Sequence, residues 1–331
     1  MKIGIWQDLR NPPQWRKPWS DVYGRALERV EEAERLGIPS VWLSEHHFFE
    51  DGYCPQLWVY GGAVAARTKT IRIGSAIMLA PLRPAVDIAE QAAIVDILSD
   101  GRVELGLGAG YRVPEFNAFG ASMDSRMDDL EQRVIEIRRL WDEGGVTPGT
   151  VQEHARIWVG GGSPRAARIA AAHGDGLLWG EQRVTDLYLA ALEKNGRPAS
   201  DANLATGAGL VVADDPEEAW DRIAPHLQYQ WHTYTHYGTE GLDSDQSATA
   251  GVPATSEITA EGLRSEGPEM ILPRFDVVTP EEAVRRITAW LGSMPVEYVY
   301  FWDSIAGMPE DLTQRHIELL ATKVAPALAE L

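Results

Sequence analysis

Two rhythms of apolar and polar residues take turns along this chain. Short apolar, β-branched runs recur at Lys2–Trp6, Ser40–Ser44, Thr70–Met78, Arg102–Leu107, Arg156–Val159, Gly176–Trp179, Ala205–Val212 and Glu297–Trp302, and each reads as a buried strand. Between them apolar residues recur at helical spacing. Val22, Ala26, Val30 and Ala33 share one face behind Ser20, a candidate cap, and Gly37 ends that helix. Pro55–Arg67 is the next helix, and Pro84 opens another with Ile88, Ala92, Val95 and Leu98 on one stripe. The clearest stripe is Met127, Leu130, Val134, Ile137 and Trp141, closed by Gly144. Helices over Pro164–His173 and near Val184–Lys194 follow. Asp215-Pro216-Glu217-Glu218 and Thr279-Pro280-Glu281-Glu282 each join a cap, a proline at the first helical position and acids in the first turn. A last helix starts near Glu310.

Eight strand–helix units with short connections predict an α/β fold, a (β/α)8 TIM barrel with insertion loops, as a single domain over residues 1–331. One connection is out of scale. Gly238–Asp276 is polar and rich in Gly, Ser and Thr, and its late place on the barrel reads as a lid over the mouth.

Charge narrows the range of partners. With 30 basic and 49 acidic side chains the chain carries a formal charge of -19, which repels nucleic acid and anionic membranes. A lone cysteine, Cys54, rules out an internal disulfide framework and a cysteine metal cluster. No apolar run reaches the roughly 18 residues of a membrane helix, and no signal-peptide pattern precedes the first strand, so a cytoplasmic location is expected.

Candidate chemistry gathers where strands end. Val41-Trp-Leu-Ser-Glu-His-His-Phe48 is a strand running into an acid and two imidazoles. Alternation puts Ser44 and His46 on one face, Glu45 and His47 on the other. From this segment alone, proton chemistry and a histidine that merely satisfies a buried hydrogen bond are equally good readings. Gly160-Gly-Gly-Ser-Pro164 joins a strand to a helix; with the hydroxyl of Ser163 and the cation of Arg165 it favours a phosphate over an empty turn. Gly106-Leu-Gly-Ala-Gly110 lacks the spacing of a dinucleotide fingerprint, and its glycines make room for a flat ring. His232 and His236 lie one helical turn apart without a neighbouring acid, so no metal is expected there. Trp58, Trp179, Trp231 and Trp302, with His47, are candidates to line an apolar substrate pocket; core packing is the alternative for the tryptophans.

Four segments, in order, resemble the bacterial luciferase-like superfamily of flavin-dependent oxidoreductases. They are Ser44-Glu-His-His-Phe48, Ile73–Pro81, Asp100–Gly110 with Glu115 and Phe119-Gly120, and Ile157–Pro164. The resemblance implies one barrel with a flavin at its C-terminal mouth. It implies a non-proline cis peptide at Ala76-Ile77 behind the isoalloxazine ring, Ala109 and Tyr111 beside the ring, and the phosphate on Gly161, Gly162 and Ser163. His46 corresponds to a histidine that assists proton transfer. Luciferases carry an arginine where this chain has Ala109, so Arg165 or another cation is expected to compensate. Residues 143–155 are shorter than the usual excursion, which opens the pocket wall.

By the same resemblance the expected activity is a monooxygenase that takes reduced FMN, supplied by a separate flavin reductase, and O2 to oxygenate a small hydrophobic organic substrate. Two alternatives are a hydride-transferring oxidoreductase using the deazaflavin F420, and a non-catalytic flavin-binding subunit. A homodimer is expected, joined through Pro55–Arg67 and Pro84–Ser99.

Overall fold

The computed structural model describes residues 1–241, 259–266 and 275–329. Its strands are β1 (Lys2–Trp6), β2 (Ser40–Leu43), β3 (Arg72–Ser75), β4 (Met78–Leu79), β5 (Val103–Gly108), β6 (Ile157–Gly160), β7 (Gly176–Leu178), β8 (Leu204–Ala208), β9 (Leu210–Val212), β10 (Asp276–Val278) and β11 (Val296–Trp302). The helices that position the site are α1 (Trp19–Arg35), α2 (Leu57–Arg67), α3 (Ala85–Ser99), α4 (Val113–Phe119), α5 (Arg126–Asp142), α6 (Pro164–His173), α7 (Gln182–Lys194) and α8 (Pro216–Thr239).

The large sheet runs β3-β2-β1-β11-β8-β7-β6-β5-β4, every pairing is parallel, and β3 also pairs with β5. The sheet therefore closes. β4 prolongs the third strand beyond the cis peptide Ala76-Ile77, so eight strand positions ring the barrel, as the alternating pattern predicts.

Three boundaries differ from the sequence reading. Thr70–Met78 is not one strand, because the cis peptide interrupts it. Ala205–Val212 divides at Gly209; its second half leaves the barrel and pairs with β10 in a separate two-stranded sheet. A three-residue partner far along the chain has no periodicity by which to foresee it. Ser20 is not the cap of α1, which starts one residue earlier behind Pro18. Most of the expected lid, residues 242–258 and 267–274, lies outside the described residues.

The lumen is filled by Trp42, Trp158, Leu178, Ala205, Tyr298 and Tyr300. Indoles fit there because glycines face them. A Cβ on Gly74 would overlap the Trp42 ring, and one on Gly176 the Trp158 ring. At the N-terminal end of the strands an ionic layer closes the barrel. Buried Glu104 accepts from Trp158 Nε1 at 2.7 Å, from Arg156 Nε at 2.9 Å and from Arg72, while Glu297 takes Arg156 at 2.6 Å and Lys2 at 3.0 Å. With the floor sealed by charge and the lumen by aromatic rings, it is at the C-terminal rim that Ile77, Ala109, Tyr111 and Gly160 stay partly exposed.

Candidate active site

β2 stops at Leu43, yet the side chains after it still sort by alternation. Ser44 Oγ lies 3.1 Å from the Tyr53 hydroxyl, and His46 packs edge-on against the same ring at 4.8 Å. Glu45 Oε1 and His47 Nε2 bond each other at 2.8 Å on the other side. Glu45 also accepts the Leu79 amide at 2.9 Å and a guanidinium bond from Arg83, tying β2 to β4. His47, a sequence candidate for the substrate pocket, is buried in this pair with its ring against Phe119.

His46 is held at both nitrogens. Its Nδ1 lies 3.0 Å from Glu115 Oε1, and its Nε2 lies 3.3 Å from the Tyr111 hydroxyl. Glu115 sits in the first turn of α4, and the same oxygen takes the His47 amide at 2.9 Å and Arg112 Nη1 at 3.1 Å. An ionised carboxylate only accepts, so Nδ1 carries the imidazole proton and Nε2 presents its lone pair. Burial pulls the pKa of His46 down, over the opposing pull of Glu115. Burial also pushes the Glu115 carboxyl up, but the bond and charge of His46, the His47 amide and Arg112 outweigh it and hold the group below the usual range. The pair at neutral pH is a neutral imidazole backed by a carboxylate. Such a pair can take a proton at Nε2 and stabilise the resulting imidazolium.

Tyr111 links this pair to an arc of glycines that starts three residues earlier at Gly108. The Ile77 side chain lies over Gly108 and Gly160; a Cβ at Gly160 would come within 2.5 Å of Ile77 Cγ2, and one at Gly108 would overlap the side chain. Gly162 lies against Trp179, where a Cβ would sit 2.5 Å from the indole. Ile77, Ala109, Tyr111, Gly160, Gly161, Gly162 and Trp179 are all half-exposed, while Ala76 is buried behind them. At the end of the arc Ser163 caps α6, its Oγ accepting the Ala166 amide at 3.1 Å, and Gly161 takes a φ of 138° that favours glycine. The first turn of a helix keeps amides without intrahelical acceptors, and an anion suits them.

Arg165 takes a different place from the one expected. It reaches α5 and pairs with Asp128 and, at 3.5 Å, with Glu131. Trp302 stacks at 3.9 Å on Trp6, and it is Trp6 that is half-exposed. Trp58 is buried against Gly61 and next to Leu43, between α2 and β2, and Trp231 packs edge-to-face on Phe275 at 6.1 Å. Neither indole is among the aromatic rings around His46, which are those of Phe49, Tyr53, Tyr111 and Tyr234. Among the described residues no three His, Cys, Asp or Glu side chains converge as a metal site.

Sequence reading passed over Arg10, Tyr53, Arg112 and Tyr234. The C-terminal half of α8 covers the His46 end of the mouth, bringing the Tyr234 hydroxyl to 2.7 Å from that of Tyr53. The aromatic run Trp231–Tyr237 was a signal, but which of its rings faces the mouth depends on how α8 docks.

Comparison with known proteins fits this geometry. The chain is 29% identical over 287 residues to an F420-dependent glucose-6-phosphate dehydrogenase of Amycolatopsis mediterranei, covering 80% of this chain and 84% of that protein. It is 24% identical over 336 residues to the oxygenase component of a flavin-dependent trigonelline monooxygenase of Acinetobacter baylyi, covering 93% and 91%. In fold it is similar to the oxygenating constituent of 3,6-diketocamphane monooxygenase of Pseudomonas putida, solved with FMN, at a TM-score of 0.75, 17% identity and 99% and 98% coverage. Residues 1–295 match the model of the luciferase-like monooxygenases. With its closed parallel barrel and its match over most of its length, the chain belongs to the luciferase-like monooxygenase family and is an oxidoreductase.

Proposed function

We propose that this protein is the oxygenase part of a flavin monooxygenase that takes reduced FMN from a separate reductase and uses O2 to oxygenate a small organic substrate. The carrying observation is the continuity of the mouth, where the His46–Glu115 pair opens onto the flat Ile77–Gly108–Gly160 arc and that arc ends at the Gly161–Ser163 loop. A planar ring with an anionic tail fits that shape. Residues that would hold it are Ala76, Ile77, Ala109 and Tyr111 at the ring, and Gly161, Gly162 and Ser163 at the phosphate. Bound reduced FMN supplies the electrons with which O2 is activated. The chain's own work is to exclude water, orient the substrate and move a proton at His46 Nε2.

The tail decides between the two candidate cofactors. F420 carries an oligoglutamate tail with several carboxylates, whereas FMN ends in one phosphate. Asp128 and Glu131 engage Arg165 beside the loop and Glu181 is paired with Arg183, so neither cation is free to meet a run of carboxylates. Like charge there disfavours the longer tail. A relative named as an oxygenase component also supports a reductase partner. The second reading, hydride transfer with F420, is favoured by the neutral His46, which suits accepting a proton from an alcohol as hydride leaves, and by the F420-dependent relative.

Titrating the protein with FMN and F420, then assaying each in its reduced and oxidised form, tests the choice. Tighter FMN binding and O2 uptake coupled to reduced FMN are expected. Hydride transfer to F420 without O2 would replace the leading reading with the second. Full turnover in His46→Ala would remove His46 from the chemistry.

A homodimer is part of the same reading. Val59 on α2 and Ile94, Ile97 and Leu98 on the neighbouring α3 expose large apolar side chains, with Val59 at 74% and Leu98 at 55% exposure. Such a patch marks a protein contact. Light scattering is expected to give twice the monomer mass, and Leu98→Glu to halve it; a monomeric wild type would overturn the dimer.

A further inference from the structure

Three hydroxyls form a chain beside His46, and counting their protons leaves one over. Trp6 Nε1 donates to Ser44 Oγ at 3.1 Å, Ser44 Oγ lies 3.1 Å from the Tyr53 hydroxyl, and Tyr53 lies 2.7 Å from the Tyr234 hydroxyl. Two contacts between hydroxyls consume two of the three O–H protons. The indole of Trp6 uses only one lone pair of Ser44 Oγ, but Ser44 is buried and has no other acceptor among the described residues, so it gives its proton to Tyr53 and Tyr53 gives its own to Tyr234. The Tyr234 proton then has no acceptor among the described residues. Ser44 and Tyr53 are buried, while Tyr234 is half-buried, so the spare donor stands at the accessible end.

Surroundings fix the kind of acceptor. The Arg10 guanidinium stacks 4.7 Å from the Tyr53 ring centre and 4.6 Å from that of Tyr234, and donates to Thr233 Oγ1 at 2.7 Å. Its charge faces buried Asp51, 3.8 Å away, although Arg10 Nε and Nη2 make no hydrogen bond among the described residues. A carboxylate on the substrate would add a second anion to a balanced pair. Burial pushes both phenols above their usual pKa, so both stay protonated. The remaining walls are aromatic: Phe49, Tyr53, Tyr111 and Tyr234 surround the His46 ring at 5.0, 4.8, 5.4 and 6.3 Å. His46 Nε2 is matched by Tyr111. Among its hydroxyls this cluster offers one spare donor, that of Tyr234, set between aromatic walls.

We propose that the Ser44–Tyr53–Tyr234 hydroxyl chain is the substrate-recognition element of this site, and that it binds the carbonyl oxygen of a small, uncharged, largely apolar compound. This rests on the oxidoreductase reading of the mouth and names its substrate class. A hydrocarbon of the same shape leaves the Tyr234 proton unpaired, and a carboxylate meets Asp51. Recognition of this kind discriminates more strongly than apolar fit, because the analogue without the oxygen strands a desolvated donor.

The test is calorimetric binding of matched probes to the full-length protein, with and without oxidised FMN. The probes are cyclohexanone and 2-adamantanone, each beside its alcohol, hydrocarbon and carboxylate counterparts. At least one ketone is expected to bind tenfold or more tighter than its three counterparts. Tyr234→Phe is expected to erase that preference, Tyr53→Phe to reduce it, and Ser44→Ala to reduce it less. FMN affinity and the circular dichroism of each variant separate loss of the donor from loss of the fold. No ketone preference in the wild type, an alcohol or carboxylate bound as well, or a preference surviving Tyr234→Phe each overturns the proposal. Failure of FMN to bind while the ketone preference holds counts against the cofactor reading and leaves the recognition element standing.

Discussion

His46 Nδ1 lies 3.0 Å from Glu115 Oε1, joining the loop after the second barrel strand to the first turn of the helix after β5. The contact fixes the tautomer of His46 and supplies the charge that an imidazolium would face. Glu115 is therefore a positioning residue whose effect is read through His46. Replacing it with glutamine keeps an acceptor for Nδ1–H but removes the charge. Glu115→Gln is expected to lower kcat by roughly tenfold to hundredfold, and His46→Ala by about 10²–10⁴-fold.

The pH profile carries the sign of the same relationship. Burial pulls the pKa of His46 below 6.5 while Glu115 pulls it up. If neutral His46 is the active form, kcat/KM rises with pH through a pKa below 6.5 and is level above it. Removing Glu115 takes away the upward pull, so the acid limb of Glu115→Gln moves to lower pH. A limb that stays put or moves up would show that the titrating group is not His46.

Gly162 tests the proposed cofactor arc. A Cβ there sits 2.5 Å from the Trp179 indole, a rigid neighbour, so Gly162→Ala displaces the ring or the loop. FMN affinity is expected to fall about tenfold, an effect of roughly 1.4 kcal/mol. Unchanged FMN binding by fluorescence titration would place the cofactor elsewhere.

In the lumen the prediction concerns stability. A Cβ on Gly74 overlaps the buried Trp42 ring, which is itself enclosed by Trp158, Tyr298 and Tyr300. Gly74→Ala is expected to cost about 1–3 kcal/mol, read as a lower urea midpoint. A midpoint equal to wild type would mean that the Trp42 ring has room to move.

His316 sets an acid limit to the fold. It is fully buried; Nδ1 accepts the Val212 amide at 2.8 Å and Nε2–H donates to the Trp302 carbonyl at 3.2 Å. Burial, against those two bonds, pulls its pKa down to about 4. The unfolded chain takes up the proton near pH 6.5, so the contribution is complete above that pH and is lost as pH falls to about 4, a change of about 3 kcal/mol. Asp8 acts in the opposite direction. Burial, against the attraction of Arg10, pushes its carboxyl up to about 7, so its contribution is present below about pH 4 and lost as pH rises to about 7. His316→Gln is expected to flatten the acid-side loss of the urea midpoint between pH 6.5 and 4.5. An unaltered acid slope would show that other groups govern it.

Much of the fold was legible because strands and helices announce themselves by period, and eight alternating pairs admit few closed arrangements. The catalytic candidate was legible in part. Ser44-Glu45-His46-His47 shows which side chains share a face, and Gly160–Pro164 shows a capped helix start, where we propose the anion, since both are local matters of backbone geometry. Arg165 illustrates the limit: its sequence position suggests a phosphate partner, but its long side chain reaches the acids of α5.

By itself the sequence determined the alternation of strand and helix, the strand ends that carry polar side chains, and the glycines that leave room. Only the tertiary structure decided that Glu115 backs His46, that Trp6 stands half-exposed over Trp302, and that Tyr234 from α8 completes a hydroxyl chain begun at Ser44. The physical reason is range. Period and capping act within a turn or a strand, whereas these partners lie far apart in the chain and meet because barrel closure brings the strand ends, and the helices docked over them, to one rim.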